Sequence, residues 1–132
     1  MKFLVTFSAL LPLAVAADWG QSCKDEVLDP ATNIITASCN SGDGKGTFVD
    51  AELDLDECLG YADGKIFWKK DGNFGEHCKD CTEYRLPDEV WGGLGATRPW
   101  LECTCEGVSE PVKYNLDITL ITNVYGELVC TR

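Results

Sequence analysis

The chain has 132 residues, of which 22 are acidic and 11 are basic, and its formal net charge at pH 7 is −11. The basic residues are scattered singly and form no cluster that could follow a phosphate backbone, which argues against nucleic-acid binding. An acidic surface favours solubility and is repelled by anionic membranes, so we expect neither nucleic acid nor membrane as a partner.

The first 17 residues have the three parts of a secretory signal peptide. Lys2 gives a positive start, residues 3–15 are almost wholly apolar and too short to span a bilayer, and small residues follow. We therefore expect residues 1–17 to be removed. Residues 18–132 are then predicted to form one secreted, extracellular domain.

The part of the chain that follows the leader contains one clear strand between turn signals. Residues 18–23 are a polar lead-in, and residues 24–33 are interpreted as a turn around an Asp-Pro pair. Residues 34–39 are interpreted as a strand. Residues 40–46, NSGDGKG, form a loop rich in residue types that accept positive φ.

Residues 50–68 predict a strand, a bend and a hairpin. Acidic and apolar side chains alternate over residues 50–56, which is the period of a strand with one wet and one dry face. The pair Asp63-Gly64 then offers two positive-φ positions for a tight reversal into apolar chain. The acidic row is interpreted as a solvated strand face rather than a calcium site, because no turn converges its oxygens.

The same unit returns near the C-terminus over residues 115–130, with one additional residue. Leu55 corresponds to Leu116, and Gly64 corresponds to Gly126. This correspondence predicts that a strand–turn–strand unit is duplicated within the chain.

Two irregular segments connect and extend the repeats. Residues 69–76 form the bridge between the copies, and residues 82–99, rich in glycine and proline, are interpreted as a long loop with an exposed Trp91. No window shows a sustained apolar stripe at helical spacing. The sequence therefore predicts an all-β domain of two tandem repeats, at about residues 19–72 and 73–132.

All eight cysteines follow the leader, and in a secreted chain they predict four disulfides. Spacing alone leaves on the order of a hundred connectivities. The strand at residues 34–39 resembles residues 101–105, and this correspondence favours a particular set. The favoured pairings are Cys23–Cys39, Cys78–Cys105, Cys81–Cys103 beside it and, as the remaining pair, Cys58–Cys130.

Two other uses of the cysteines stay open at this point. The C-x-x-C at Cys78 and Cys81 has the spacing of a redox-active pair, although no βαβ context surrounds it. Together with Cys103 and Cys105 it also has spacings that a structural zinc site could use. Thiolates rarely stay free in an oxidising compartment, so we expect disulfides, with neither a metal nor a cofactor.

The order of these motifs resembles the cyanovirin-N homology (CVNH) family of lectins, specifically its secreted filamentous-fungal members. The resemblance covers nearly the whole mature chain and is strongest in ADGKIFWKKDGNFGEHC, residues 62–78. It implies two pseudo-symmetric halves, each with a triple-stranded sheet and a β-hairpin, with strands exchanged between the repeats. It also implies that Cys58 and Cys130 are neighbours, in a monomer or a strand-swapped dimer. The implied activity is non-catalytic binding of mannose-type oligosaccharides.

The resemblance places the better-preserved sugar site in the half built mainly from the centre of the chain. Sugar hydroxyls come in vicinal pairs, and short carboxylates and amides on turns bond both members at once. From the residues alone, it stays open that the turn aspartate only makes its turn and the asparagine only caps a loop. The site combines that aspartate, the NF-x-E-H segment and an opposite wall at residues 106–109: Asp63, Asn73, Glu76, His77, Gly107 and Ser109.

The corresponding site in the other half departs from the family pattern. Its residues would be Gln21, Ser22, Asn40 and Asn123. Tyr125 stands where the pattern has the turn aspartate, and a tyrosine can stack on a sugar but does not accept paired hydrogen bonds. We expect one competent site, or one strong and one weak, so tight binding requires more than one site per particle.

Two other functions are compatible with the sequence. A structural or effector protein could keep the scaffold, lose the pocket and bind a protein partner, as Tyr125 and the loop at residues 82–99 allow. A small hydrolase would have to use His77, the single histidine, whose neighbour Cys78 is more readily bridged than nucleophilic. No deep cleft for paired carboxylates is indicated either. The sequence therefore favours a non-enzymatic carbohydrate-binding protein.

Overall fold

The computed structural model describes residues 19–118 and 121–130, so the predicted leader at residues 1–17 lies outside the described residues. No helix in these two ranges is long and apolar enough to cross a membrane. Single helical turns are α1 (Trp19–Ser22) and the 3-10 turns Leu55–Glu57, Phe74–Glu76, Gly92–Leu94 and Leu116–Ile118. The strands are β1 (Cys23–Asp29), β2 (Ile34–Asn40), β3 (Phe48–Asp54), β4 (Leu59–Ala62), β5 (Lys65–Trp68), β6 (Cys78–Pro87), β7 (Thr97–Cys105), β8 (Val112–Asn115), β9 (Ile121–Val124) and β10 (Glu127–Cys130).

The strands form two three-stranded antiparallel sheets, β1-β2-β3 and β6-β7-β8, and two hairpins, β4-β5 and β9-β10. Each hairpin packs on the sheet of the other repeat, because β10 contacts β3 and β5 contacts β8. We call β1–β3 with β9–β10 half one, and β6–β8 with β4–β5 half two. The predicted all-β fold of two halves with exchanged strands is confirmed.

The two hairpins reverse through the same kind of turn. One reverses at Asp63-Gly64 and the other at Tyr125-Gly126, with two residues in each turn. All four residues have positive φ, between 52° and 93°. Positive φ at both positions is the geometry of a type I′ turn, whose twist matches that of the flanking strands. The turn that Asp63-Gly64 predicts is therefore present, and the second copy repeats it.

Strand β3 shows the predicted alternation of wet and dry faces. Leu53 is buried and Ala51 is half-buried, whereas Asp50 and Glu52 are exposed. These acidic side chains form a solvated strand face, as the sequence indicates. In the described part of the chain, no group of three or more His, Cys, Asp or Glu is placed to hold a metal ion.

One predicted turn, at residues 24–33, is wrong. Strand β1 runs through Asp29, and only residues 30–33 form the turn. A β-bulge at Asp25, whose φ is 55°, shifts the register between β1 and β2. Because a bulge adds a residue to one strand, it breaks the period-2 pattern on which strand prediction depends.

The predicted long loop at residues 82–99 is wrong at both ends. Strand β6 continues through Pro87 and β7 begins at Thr97, so only residues 88–96 are irregular. Here the bulge lies at Asp80, whose φ is 53°, and the register between β6 and β7 shifts beside it. Repeat one closes the equivalent connection with the short turn at residues 30–33, so residues 88–96 are an enlargement specific to repeat two.

Trp19, within the predicted polar lead-in at residues 18–23, anchors this segment in the core. Trp19 is fully buried in α1, and its indole N–H donates to the carbonyl of Leu116 at 3.2 Å. Phe74 is also fully buried and takes the equivalent place in repeat two, again just before a strand that opens with a cysteine. Each repeat therefore begins by inserting one large aromatic side chain into the core.

A glycine follows each of these aromatic residues, and its N–H donates to an aspartate. Gly20 donates to Oδ1 of Asp117 at 2.9 Å, and Gly75 donates to Oδ1 of Asp56 at 2.8 Å. Glycine is required at both places, because a Cβ would lie 2.8 Å from these aspartate oxygens. Asp117 belongs to repeat two and accepts a hydrogen bond from repeat one, whereas Asp56 belongs to repeat one and accepts a hydrogen bond from repeat two.

The described residues contain four disulfides, and they are the four that the sequence favours: Cys23–Cys39, Cys78–Cys105, Cys81–Cys103 and Cys58–Cys130. The bulge at Asp80 explains why Cys78 and Cys81, three residues apart, both face β7. Neither cysteine bonds the other, and no cysteine of the described chain is free. This pairing leaves no thiolate for zinc.

A carboxyl pair lies where β1 meets β6. Arg85 binds Glu26 through two hydrogen bonds, and it also donates to the carbonyl of Gly20 at 3.0 Å. Burial, followed by a hydrogen bond with Glu26, raises the pKa of Glu83 to about 8. Burial is the largest single influence on Glu26 and opposes its ionisation, but the hydrogen bonds from Arg85, from the backbone and from Glu83, together with the charge of Arg85, outweigh burial and lower the pKa of Glu26. Glu83 is therefore the protonated member of the pair near neutral pH.

Glu83→Gln is expected to raise the thermal unfolding midpoint at about pH 8, with no gain near pH 4. The folded pKa of Glu83, about 8, exceeds its ordinary value of 4.5. The folded chain then holds a proton that the unfolded chain has released, so this group makes stability fall as pH rises between those values. Glutamine mimics the neutral acid at every pH. Thermal denaturation of both proteins across this range is the measurement, and parallel curves would contradict the assignment.

Candidate functional site

A shallow depression lies between the β4–β5 turn and the segment that follows β7. It brings together the predicted residues Asp63 and Gly107, both of which are exposed. Gly107 has a φ of 82°, and a Cβ built there would meet no atom within 4 Å, so its backbone borders open space. The depression is lined by Tyr61, Asp63, Gly64, Glu106, Gly107 and Val108.

A second depression adjoins the first and shares Glu106 with it. It brings in the predicted residues Glu76 and His77, both exposed, together with Lys79 and Thr104. Ser109 lies on the opposite side of the turn, where it lines a third depression that shares Val108 and Gly64 with the first. The polar surface of half two is therefore continuous on both sides of the Asp63 turn.

Glu106 is the centre of this surface. Its carbonyl accepts the phenol O–H of Tyr61, and its backbone N–H donates to the carbonyl of His77 at 2.9 Å. Its carboxylate lies 3.1 Å from Nδ1 of His77, and the rings of His77 and Tyr61 stack with centroids 6.0 Å apart. The side chains of His77 and Glu106 remain 42% and 66% exposed, so both are accessible to a ligand.

Asn73 lies at the start of the 3-10 turn Phe74–Glu76, outside the lining of the three depressions. Its backbone is left-handed, with a φ of 50°, which asparagine tolerates better than most residues. Its side chain makes no capping hydrogen bond, and its N–H donates to the carbonyl of Asp56 at 2.9 Å. The alternative that the Asn73 side chain serves only as a cap is therefore wrong.

The corresponding polar residues of half one are bonded to one another. Asn123 is buried, with 3% of its surface exposed. Its amide nitrogen donates to Oγ of Ser22 and to the carbonyl of Asn40, both at 3.1 Å. Its amide oxygen accepts from the N–H of Gly126 at 2.8 Å. The structure thus brings three of the four predicted residues together, but the polar atoms of Asn123 already serve the fold.

The remaining features of half one also differ from half two. The side chain of Gln21 donates to the carbonyl of Thr97 at 2.9 Å. Val49 packs so closely over the β9–β10 turn that a Cβ at Gly126 would lie 2.4 Å from it. Tyr125, at the first position of this turn, is 56% exposed. Half one therefore presents an aromatic side chain where half two presents the carboxylate of Asp63.

Tyr61 is the site residue that the sequence interpretation missed. It lies two positions before the first turn residue of half two, as Asn123 does in half one. Both side chains donate to the carbonyl of the residue that follows the bridged cysteine of the adjacent strand, Glu106 or Asn40. Aligning the two hairpins on their turns would have shown this shared position, although the residues themselves differ.

The comparisons with known proteins agree on one family. A family model described as the CVNH domain matches residues 19–129, whereas no curated protein matches the chain. A CVNH protein of Gibberella zeae has a structure with a TM-score of 0.70 at 24% identity, covering 89% of this chain and all of that chain. A designed cyanovirin-N homolog lectin gives 0.64 at 30% identity, with 86% and 99% covered. Microvirin, solved as a complex with mannobiose, gives 0.62 at 25% identity, with 86% and 98% covered.

Proposed function

Because the chain belongs to the CVNH domain family, we propose that it is a secreted, non-catalytic lectin that binds mannose-type oligosaccharides through half two. The observation that carries this proposal is the continuous polar surface on which Asp63, Glu76 and Glu106 border adjoining depressions. Carboxylates on turns accept hydrogen bonds from neighbouring hydroxyls, which is the chemistry that recognition of a sugar requires. The mannobiose complex of microvirin supports mannose as the sugar class.

The proposed contacts divide into acceptors and donors. Asp63 and Glu76 accept from vicinal hydroxyls, and the side-chain amide of Asn73, which makes no capping bond, can both donate and accept. The exposed backbone at Gly107 and the hydroxyl of Ser109 supply further hydrogen bonds on the opposite wall. His77 holds the carboxylate of Glu106 and offers its ring as part of the floor.

We propose that half one binds sugar weakly. Gln21, Ser22, Asn40 and Asn123 make hydrogen bonds within the protein, so a ligand would have to compete for them. Tyr125 offers its ring for stacking but not a carboxylate. With one competent, shallow site per chain, a single glycan is bound with low affinity. Tight binding then requires more than one site per particle.

Secretion is part of the proposal and has two supports. The N-terminal sequence has the pattern of a signal peptide over residues 1–17. The four disulfides are consistent with an extracellular location, because such bonds persist in oxidising compartments.

Calorimetric titration of the mature protein with mannobiose tests the proposed function. We expect saturable heat with about one site per chain and a Kd between about 0.01 and 1 mM. The sugar should be recovered unchanged after prolonged incubation, since no catalytic step is proposed. No heat at millimolar mannobiose, or cleavage of the sugar, would contradict the proposal.

A protein partner is the second candidate, and the connection at residues 88–96 favours it. Val90, Trp91 and Leu94 are 73%, 58% and 82% exposed, so one loop presents three large apolar residues to solvent. The loop is nevertheless ordered, because the carboxylate of Asp88 accepts the N–H groups of Val90 and Trp91 at 2.7 and 2.8 Å. A pull-down that excess mannobiose does not affect, but that Val90→Ser/Leu94→Ser abolishes, would support this candidate over the first.

A further inference from the structure

The depression that contains Ser109 extends beyond the proposed contacts with mannobiose. Strand β5 lines one side of it with Lys65 and Ile66, and β8 lines the other with Val112 and Lys113. We call it the Lys65–Lys113 depression. Its volume is about 540 Å³, within the usual range of small-molecule sites. Ile66 and Val112 are 6% and 9% exposed, so buried apolar side chains underlie a charged rim.

The charge of this depression differs from that of its neighbour. At the β4–β5 turn, the charged lining residues are the two acids Asp63 and Glu106. Past the turn they are Lys65, Lys113 and the single acid Glu110. The chain carries 22 acidic and 11 basic residues, so two lysines against one glutamate reverse the overall balance locally. A local excess of positive charge attracts an anionic group.

Both lysines are available to a ligand. They are exposed, and no ion pair among the described residues involves either of them. Lys113 lies across from Glu102 in the β7–β8 pair, but the two side chains form no ion pair. Arg85 and Arg98, in contrast, are held by buried carboxylates. Lys65 and Lys113 can therefore turn toward a ligand without breaking an ion pair of the fold.

The two depressions are continuous, because both are lined by Gly64 and Val108. A glycan with one unit at Asp63 therefore has a path over the turn to the lysines. Each lysine ammonium offers three donors, and the hydroxyl of Ser109, in the same lining, offers one more. Hydrogen bonds from such donors to the charged oxygens of a phosphate or a carboxylate are stronger than those to neutral hydroxyls.

We propose that the Lys65–Lys113 depression is a subsite for an acidic sugar unit, one that bears a phosphate or a carboxylate, next to a neutral unit at Asp63. This inference rests on the proposed function, since the unit at Asp63 brings the anion to the lysines. Glu110 limits the preference, because its carboxylate lines the same depression and repels an anion. Each pair of exposed opposite charges strengthens binding by at most about fivefold, so we expect a total gain of about three- to tenfold.

Calorimetric titration of the mature protein with three disaccharides tests the subsite. The sugars are mannobiose, mannobiose phosphorylated at O6 of its terminal unit, and a disaccharide of mannose and glucuronic acid. At about 20 mM salt, at least one acidic sugar is expected to bind about three- to tenfold more tightly than mannobiose, with the ratio approaching one at about 0.5 M salt. A gain with one acidic sugar alone identifies the anion. Equal affinities for all three would overturn this inference alone, whereas no binding of any would contradict the proposed function as well.

Three variants at exposed positions separate the subsite from the overall charge of the protein. Lys65→Gln/Lys113→Gln should reduce the ratio of acidic to neutral affinity to about one. Lys24→Gln/Lys45→Gln removes the same charge from half one and should preserve the ratio. Glu110→Gln removes the opposing charge and should raise the ratio about two- to threefold. Equal losses in both double variants, or a lower ratio in Glu110→Gln, would overturn the proposal.

Discussion

Asp117→Ala is expected to lower the free energy of unfolding by about 3–5 kcal/mol. Asp117 is 3% exposed and connects the two repeats. Its Oδ1 accepts the N–H of Gly20 at 2.9 Å, and its Oδ2 accepts from Arg98 at 2.8 Å. Alanine would leave the buried N–H of Gly20 without this acceptor and would remove one of the two carboxylates that pair with Arg98, the other being that of Asp88.

Asp56→Ala is the matched control, because Asp56 has the same place in the other repeat. It accepts the N–H of Gly75 at 2.8 Å, but no ion pair joins it among the described contacts, and burial raises its pKa. We expect this variant to lose about 1 kcal/mol, the value of one hydrogen bond. Denaturant unfolding of both variants with all disulfides intact measures the difference. Equal losses would show that the ion pair with Arg98 is not what makes Asp117 important.

Asp63→Gly is expected to weaken the binding of mannobiose at least about tenfold while leaving the fold intact. A hydrogen bond to a charged group contributes about 1.5–3 kcal/mol, and about 1.4 kcal/mol corresponds to a factor of ten. Glycine is the informative replacement, because the φ of 52° at Asp63 suits it and a Gly-Gly pair keeps the type I′ turn. The variant therefore removes the carboxylate without straining the hairpin.

Tyr125→Gly is the control for Asp63→Gly, since it removes the side chain at the same turn position of half one. The φ of Tyr125 is also 52°, so the backbone effect of the two replacements is matched. Affinity for mannobiose is expected to change less than about threefold, because the proposed strong site lies in half two. A larger loss for Tyr125→Gly than for Asp63→Gly, measured by calorimetric titration, would move the main site to half one.

The hairpins and the duplication could be predicted because their signals are local. A two-residue turn that needs positive φ at both positions restricts the residue types there, and the Asp63-Gly64 pair meets that restriction. The alternation before it survives in β3 because one face is solvated and the other is packed. The correspondence between the two copies predicted Cys23–Cys39 and Cys78–Cys105, with Cys81–Cys103 beside the latter. Cys58–Cys130 was the remaining pair, and the family resemblance supported it.

The first strand of each sheet could not be predicted, because the signal itself is interrupted. Asp25 and Asp80 adopt left-handed conformations inside strands, and the bulges there displace the alternation by one residue. Burial is the default expectation for a tryptophan, but the partner of Trp19 in the other repeat could not be predicted, for a different reason. A single aromatic residue in a polar segment carries no period, and its burial depends on contacts with residues about a hundred positions away.

The geometry of the two candidate sites also depends on contacts between residues far apart in the chain. Sequence identified the absence of the turn aspartate at Tyr125 as the weakness of half one. The structure adds that the side chain of Asn123 is buried and bonded to Ser22 and Asn40, which no local pattern indicates. Likewise, the contact between His77 and Glu106 joins residues far apart in the chain and follows only from the pairing of β6 with β7.

The most direct test of the proposed lectin function is a chemical-shift titration of the nitrogen-labelled mature protein with mannobiose. Saturable shifts are expected at the backbone amides of half two that border the depressions, at residues 61–64, 76–79 and 104–109. The amides of half one around Asn40 and Tyr125 should shift little at the same sugar concentration. Shifts confined to half one, or no saturable shift at millimolar mannobiose, would contradict a sugar site at Asp63 and Glu76.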